Sequence, residues 1–178
     1  MLITPEYREQ QEEMHEKGDY GIVGHMYAKM ISGLWVQLEE PKVLDYGCGQ
    51  CSLSQALPQI PFDLYDPCVP RYAKEPKGKY DLVTCTDVLE HIEPDLLADV
   101  VQNIAEHCSK MCFVQIGTAP ASKTLPDGRN AHLTQERVAW WVALLDGAGF
   151  EIQTVSRTGH GFIAVLTVDG ANMEMKAV

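Results

Sequence analysis

Apolar positions along the chain fall into short blocks, and the spacing within each block changes from one to the next. KVLDY (Lys42 to Tyr46), the stretch from Phe62 to Pro67, Tyr80 to Cys85 and MCFVQIGT from Met111 are compact apolar runs bounded by turn residues. Each predicts a buried strand. FEIQTVSRT and HGFIAVLTVD, joined through Gly159 and Gly161, predict two more strands that pair as a hairpin. Helical spacing fills the gaps. Ile22, Met26, Met30, Leu34 and Leu38 recur every four residues, which predicts one helix with those five on a single face and Pro41 closing it. SLSQAL predicts a brief helix stopped by Pro58. Pro94 opens a helix through PDLLADVVQNIAEHC, and Thr134 caps another through TQERVAWWVALLDGAGF that ends at Gly147 or Gly149.

Three stretches read differently. Residues 1–18 are polar and rich in Glu and Gln, with Pro5 where a helix can begin; they form a short amphipathic helix or a loosely attached segment. Residues 67–79 contain Pro67, Pro70, Pro76 and Gly78 and are too few for a crossover helix plus a strand, since the crossover alone takes about 10–12 residues. They predict a loop, as does TAPASKTLPDGRNAH. The tail, 169–178, reads as flexible.

Strands alternating with helices and closed by a hairpin predict an α/β fold. The sheet is Rossmann-like and mostly parallel, with helices on both faces, a C-terminal antiparallel hairpin strand, and a shortened stretch after the second strand. The 178 residues suit a single domain, with 1–40 as an N-terminal helical lid segment. In such a sheet a ligand lies beyond the carboxyl ends of the strands. Candidate chemistry is therefore expected just after Tyr46, Tyr65, Cys85 and Gly117.

Composition narrows the partners. Acidic residues outnumber basic ones by 25 to 14, a formal net charge of −11, with 46% of residues hydrophobic. That balance argues against a grip on duplex nucleic acid and against an anionic membrane surface. No basic segment followed by an apolar stretch opens the chain, and no run reaches the roughly 18 apolar residues of a membrane span. The six cysteines lie in or beside apolar runs and read as reduced core residues of a cytoplasmic protein. Cys48 and Cys51 make a single CxxC pair, too few ligands for structural zinc, so no metal site is expected.

The first strand ends in Asp45-Tyr46-Gly47-Cys48-Gly49-Gln50-Cys51, whose glycines permit a sharp turn and close approach of a ligand to the backbone. Asp66 ends the second strand, about 20 residues on, where this type of fold binds ribose hydroxyls. A carboxylate at Asp45 would repel a pyrophosphate. It suits a cationic amine, such as the methionine portion of S-adenosylmethionine, although it also fits a plain role in capping or solvating the turn. Ser52 stands where the dinucleotide fingerprint has its third glycine, which disfavours a nicotinamide-dependent oxidoreductase.

VLDYGCG, YDP and YDLVTCTDVLEHIEP, in that order, resemble the motifs of class I S-adenosylmethionine-dependent methyltransferases. The similarity is greatest to the small type-11/type-12 enzymes of bacteria and tailed phages, and it extends from about Tyr20 to Val168. The resemblance implies that Asp45, Gly47 and Gly49 hold the methionine end with backbone from Tyr46 and Cys48. It places Asp66 on the ribose, and Thr86, Asp87 and Val88 near the sulfonium. Two departures stand out. Cys51 replaces the third glycine of the family turn, and the missing strand and helix after Asp66 remove an acid that often contacts adenine.

Methyl transfer relies chiefly on positioning, and a hydroxyl acceptor also needs a base near neutral pH. His91, in DVLEHIE, and His132, in LPDGRNAHLT, are the catalytic candidates. Each has a structural alternative: His91 bracing its loop, and His132 or Asn130 tethering the longer one. Asp127, Arg129 and Asn130 are candidates for holding a polar acceptor, and Tyr20 and His25 for a lid. Trp140 and Trp141 read as core or as a dimer contact. The expected activity is O- or N-methylation of a small or mid-sized polar acceptor, a small molecule or a side chain. The alternative is a non-catalytic subunit or sensor that binds S-adenosylmethionine.

Overall fold

The computed structural model describes residues 1–168, so the tail expected at 169–178 lies outside the described residues. Six strands form one sheet: β1 (Val43–Tyr46), β2 (Phe62–Tyr65), β3 (Tyr80–Thr86), β4 (Cys108–Gly117), β5 (Phe150–Arg157) and β6 (Gly161–Val168). Their order is β2-β1-β3-β4-β6-β5. The first four run parallel, and β6 pairs antiparallel with both β4 and β5. Five helices accompany them: α1 (Pro5–Glu16), α2 (Ala28–Gln37), α3 (Ser52–Ala56), α4 (Leu97–His107) and α5 (Val138–Gly147).

The continuous apolar runs are explained by burial on both faces of the sheet. Successive residues point to opposite sides. Leu44, Val83 and Cys112 pack with Val101, Ile104 and Trp141 of α4 and α5. Their neighbours Val43, Leu82 and Phe113 pack with Ile31, Leu34 and Leu53 of α2 and α3. From β1 the chain passes outward to β2 and then returns to the other side of β1 as β3. The point where the direction reverses, between β1 and β3, is where such sheets bind ligands. Among the described residues the sheet ends at β2, because 67–79 contributes only a 3-10 turn at Pro70–Tyr72.

Four expectations need correction. The four-residue stripe in 22–38 is not the buried face. A 3-10 turn at Gly24–Tyr27 interrupts the helix and resets its phase, leaving Ile22, Met26 and Met30 exposed. The face turned inward carries Ile31 and Leu34, with Tyr27, Ala28, Trp35 and Leu38 half-buried beside them. Gly24 allows the break, since a Cβ there would lie 3.0 Å from the Leu53 Cβ. Thr134 caps no helix: α5 starts at Val138 with Arg137 at its N-cap, while the Thr134 hydroxyl is buried without a partner among the described residues and its N–H bonds to the Glu90 carbonyl. Pro94 lies in a turn ahead of α4, which begins at Leu97, and β4 starts at Cys108, earlier than the apolar run suggested. The tryptophans divide: Trp141 is buried in the core and Trp140 is exposed. No described helix is long and apolar enough to cross a membrane.

The reset phase has a measurable consequence. Ile31→Ala should cost about 2–5 kcal/mol in urea unfolding, whereas Met30→Ala should change stability by no more than about 0.5 kcal/mol. Equal losses would restore the five-residue stripe.

Candidate active site

A cleft opens at the carboxyl ends of β1 and β3, with a volume of about 910 Å³ counting its open mouth. Its floor is the turn after β1. The N–H groups of Gly47 and Cys48 both donate to the Tyr65 carbonyl, at 2.7 and 3.0 Å, and Gly49 N–H donates to Asp66 Oδ2 at 3.0 Å. Those three donors are thus engaged within the protein. The other Asp66 oxygen accepts from Cys68 N–H at 2.8 Å. Gly47 has φ 77°, and a Cβ there would sit 2.4 Å from a Val88 methyl, so both conformation and space demand glycine. Cys51 takes the left-handed conformation at φ 60°, where the family turn has its third glycine. Asp45 is buried behind the turn, and its Oδ1 accepts from the Thr84 hydroxyl at 2.8 Å.

The N-terminal segment closes over this floor. Tyr7, Gln11 and His15, at four-residue spacing on α1, line the cleft together with Tyr20 and Gly21. The segment is fastened by Gln50, whose N–H donates to the Gly21 carbonyl and whose amide donates to the His15 carbonyl. The Thr4 N–H and hydroxyl donate to Glu93, and the Tyr7 hydroxyl donates to the His91 carbonyl. Gln11 Nε2 and His15 Nδ1 are buried with no partner among the described residues.

Beyond β3 the chain turns through Asp87, at φ 60°, into a 3-10 turn that carries Glu90 and His91. One donor atom each from Asp87, His91 and His132 lies within 4.8 Å of the others. His91 Nδ1 lies 2.8 Å from the Ala131 carbonyl and 2.9 Å from the Tyr20 hydroxyl, and His132 Nδ1 lies 2.6 Å from the Ala119 carbonyl. Glu90 is fully buried and accepts from Gly117 N–H, tying the end of β4 to the same turn.

A sequence profile described as a methyltransferase domain matches residues 23–156. The chain belongs to the methyltransferase-domain family. The resemblance to class I methyltransferases is thereby met, and with it the fold and S-adenosylmethionine as the family's methyl donor. No curated protein matches. Among solved structures, similarity extends to a Burkholderia thailandensis 1,6-didemethyltoxoflavin-N1-methyltransferase with bound 1,6-didemethyltoxoflavin and S-adenosylhomocysteine. It has a TM-score of 0.67 at 15% identity, covering 94% of this chain and 92% of that one. A magnesium protoporphyrin IX methyltransferase from Synechocystis PCC 6803 gives 0.58 at 21% identity, covering 84% and 86%. An amino pentose methyltransferase from Micromonospora echinaspora gives 0.60 at 12%, covering 81% and 91%.

In this methyltransferase the expected cofactor positions Asp45, Tyr46, Gly47, Cys48, Gly49, Asp66, Thr86, Asp87 and Val88 all line one cleft, and His91 lies on its wall. His132 joins His91, with ring centroids 4.7 Å apart edge to face. The His91 ring braces the 131 loop and lines the cleft. Asn130 tethers its loop through Ala121, while Asp127 and Arg129 pair with each other at the surface. His25 is exposed and bonds to Ile22. Tyr7, Gln11, His15 and Glu90 were not anticipated. The four-residue spacing of the first three was the available signal; Glu90 had none.

Burial sets the electrostatics. It pushes the Asp45 carboxyl up to about 7, against the Thr84 hydrogen bond and with help from nearby Asp66. Burial raises Glu90 to about 8 and also raises Asp87, whose shift His132 opposes. The His91 imidazole is pushed down to about 3 by burial and by His132, and is therefore neutral near pH 7. An acid raised in the folded state destabilises the fold once it ionises. Asp45→Asn keeps an acceptor for Thr84 and should match the wild type at about pH 4. Its advantage should grow through about pH 7 to something on the order of 4 kcal/mol. Thermal unfolding of the ligand-free proteins across that range checks it; a difference independent of pH would mean that Asp45 ionises freely.

Proposed function

We propose that this methyltransferase moves the methyl group of S-adenosylmethionine to an oxygen or nitrogen of a small or mid-sized polar acceptor. The observation that carries the reading is the shared cleft. Buried carboxyls line its floor, Asp87 and His91 lie at its wall, and His132 stands beside them. S-adenosylmethionine supplies an electrophilic methyl on a sulfonium and leaves as the neutral thioether S-adenosylhomocysteine.

The donor set suits that molecule. Asp45 offers a carboxylate to the ammonium of the methionine end, while Gly47 and Gly49 make room for Val88 and Gly21, which border the same cleft. Asp66 has lone pairs left for ribose hydroxyls after its two backbone bonds. Thr86, Asp87 and Val88 form the side toward the reacting carbon. Gln11 Nε2 and His15 Nδ1, without partners among the described residues, belong to side chains that line the same space. The segment 1–40 acts as a lid: α1 excludes water from the cleft and substitutes for the wall that the short stretch after Asp66 leaves open. His132 is the group that takes the acceptor's proton, through Nε2, and His91, held neutral by burial, positions it. The similar enzymes act on a porphyrin, a toxoflavin precursor and an amino sugar, which agrees with a mid-sized polar acceptor.

Calorimetric titration with S-adenosylmethionine and S-adenosylhomocysteine tests the cofactor site. Affinity should rise with pH through the Asp45 transition at about 7 and fall at least about tenfold in Asp45→Asn, since an ionic hydrogen bond contributes about 1.5–3 kcal/mol. Turnover to S-adenosylhomocysteine with acceptor pools should then drop in His132→Ala. Binding that survives His91→Ala and His132→Ala, with no turnover on any pool, would make the protein a binding subunit instead.

A further inference from the structure

We infer that Asp87, His91 and His132 form a binding site for a divalent first-row transition-metal ion. The three side chains arrive from two separate segments, the turn after β3 and the loop between β4 and α5, yet one donor atom of each lies within 4.8 Å of the others. The tautomers follow from the hydrogen bonds. A carbonyl can only accept, so His132 on Ala119 carries its proton on Nδ1; His91 does likewise toward Ala131, with the Tyr20 hydroxyl 2.9 Å away as a second acceptor on the same nitrogen. Each ring is left with the lone pair of Nε2. A metal-bound histidine is held in this way, with its second nitrogen donating to a backbone carbonyl or carboxylate that fixes ring and tautomer.

The surroundings prepare the cluster further. Two imidazole lone pairs and a carboxylate confined together repel one another unless a cation, proton or metal, lies between them. Gly117 makes room for the His132 ring: a Cβ there would lie 2.7 Å from His132 Cε1 and 2.8 Å from Glu90 Oε1. The Glu90 carboxyl holds the Gly117 N–H, and the Glu90 carbonyl holds the Thr134 N–H, which fixes both ends of the loop beside His132. The His91 ring is buried, while Asp87 and His132 are half-buried and have room to close inward. They must do so, because bonds of about 2.1 Å put neighbouring donors of one ion about 3 Å apart.

Two nitrogens and one oxygen on one side of an ion suit Zn²⁺, Mn²⁺, Fe²⁺ or Co²⁺ and leave coordination positions open. Asp87 and His91 line the cleft, so those positions face it. The ion site rests on donor geometry alone; its role toward an acceptor rests on the methyl-transfer reading. In that role the ion takes an acceptor with two adjacent oxygens, such as a vicinal diol, a catechol or a hydroxy acid. A hydroxyl bound to it loses its proton to solvent water more readily, and the two Nε2 atoms serve as ligands in place of bases.

The test uses the full chain stripped with chelator and titrated with CoCl₂ and ZnCl₂, followed by calorimetry and visible absorption. One equivalent should bind, with Co²⁺ bands of nitrogen–oxygen ligation and no thiolate charge transfer. Asp87→Ala and His132→Ala should each weaken binding at least tenfold, and exposed His160→Ala should not. Absence of binding, equal binding in both variants, or thiolate bands from Cys48 and Cys51 would overturn the site. The wild-type spectrum decides the ligand type even if a variant misfolds. S-adenosylhomocysteine titrated into the same samples separates the two ideas: Co²⁺ bound without it sinks the methyl-transfer reading alone, and the reverse sinks the metal site alone.

Discussion

Four backbone N–H groups converge on the end of β2. Gly47 and Cys48 donate to the Tyr65 carbonyl, and Gly49 and Cys68 donate to the two oxygens of Asp66. These bonds join the turn after β1 to its neighbouring strand, and much of the cleft is positioned from there. They hold the turn in its left-handed stretch and set Asp45 beneath it. They also offer Gly49 as a flat surface, where the N-terminal segment passes so closely that a Cβ would lie 2.6 Å from the Gly21 carbonyl. A buried carboxylate with both oxygens bonded to amides is well compensated; Asp45, with one hydroxyl, is less so.

That difference couples stability to ligand. Asp45 is driven toward neutrality by burial, and Asp87 and Glu90 are raised as well. Ionising them at neutral pH costs the free protein stability. A cation in the cleft would return some of it, so a positively charged ligand would stabilise the fold through the same interaction that binds it.

The N-terminal segment and the long loop before α5 support each other. Ile3 and Tyr7 pack with Cys68, Leu125 and Ala131 in a small apolar cluster away from the main core. Through it, the segment that covers the cleft and the loop that carries His132 share one contact surface. The backbone bonds of His91 to Tyr7 and of its ring to Ala131 run through the same place. A short sheet, ending at β2, is thereby given a third wall from sequence-distant pieces.

Much of this was legible in the chain. Apolar runs of strand length, glycines after the first, and acids at Asp45 and Asp66 depend on short-range constraints: burial on both faces, backbone conformation at Gly47, and the distance spanned by one crossover. Those constraints identified the α/β architecture, the carboxyl-end cleft and the loop after Asp66. Helix phase was not legible, because the four-residue spacing of Ile22, Met26 and Met30 is real in the sequence but the break at Gly24–Tyr27 rotates Ile31 inward. Nor was the meeting of Asp87, His91 and His132, or the fate of Thr134, since each depends on a long-range bond through Glu90 or Ala131. Local preference determined which elements form and where a ligand enters. Only the packing of separate segments decided which polar groups share a space, because proximity and burial, not residue type, set their charge and their partners.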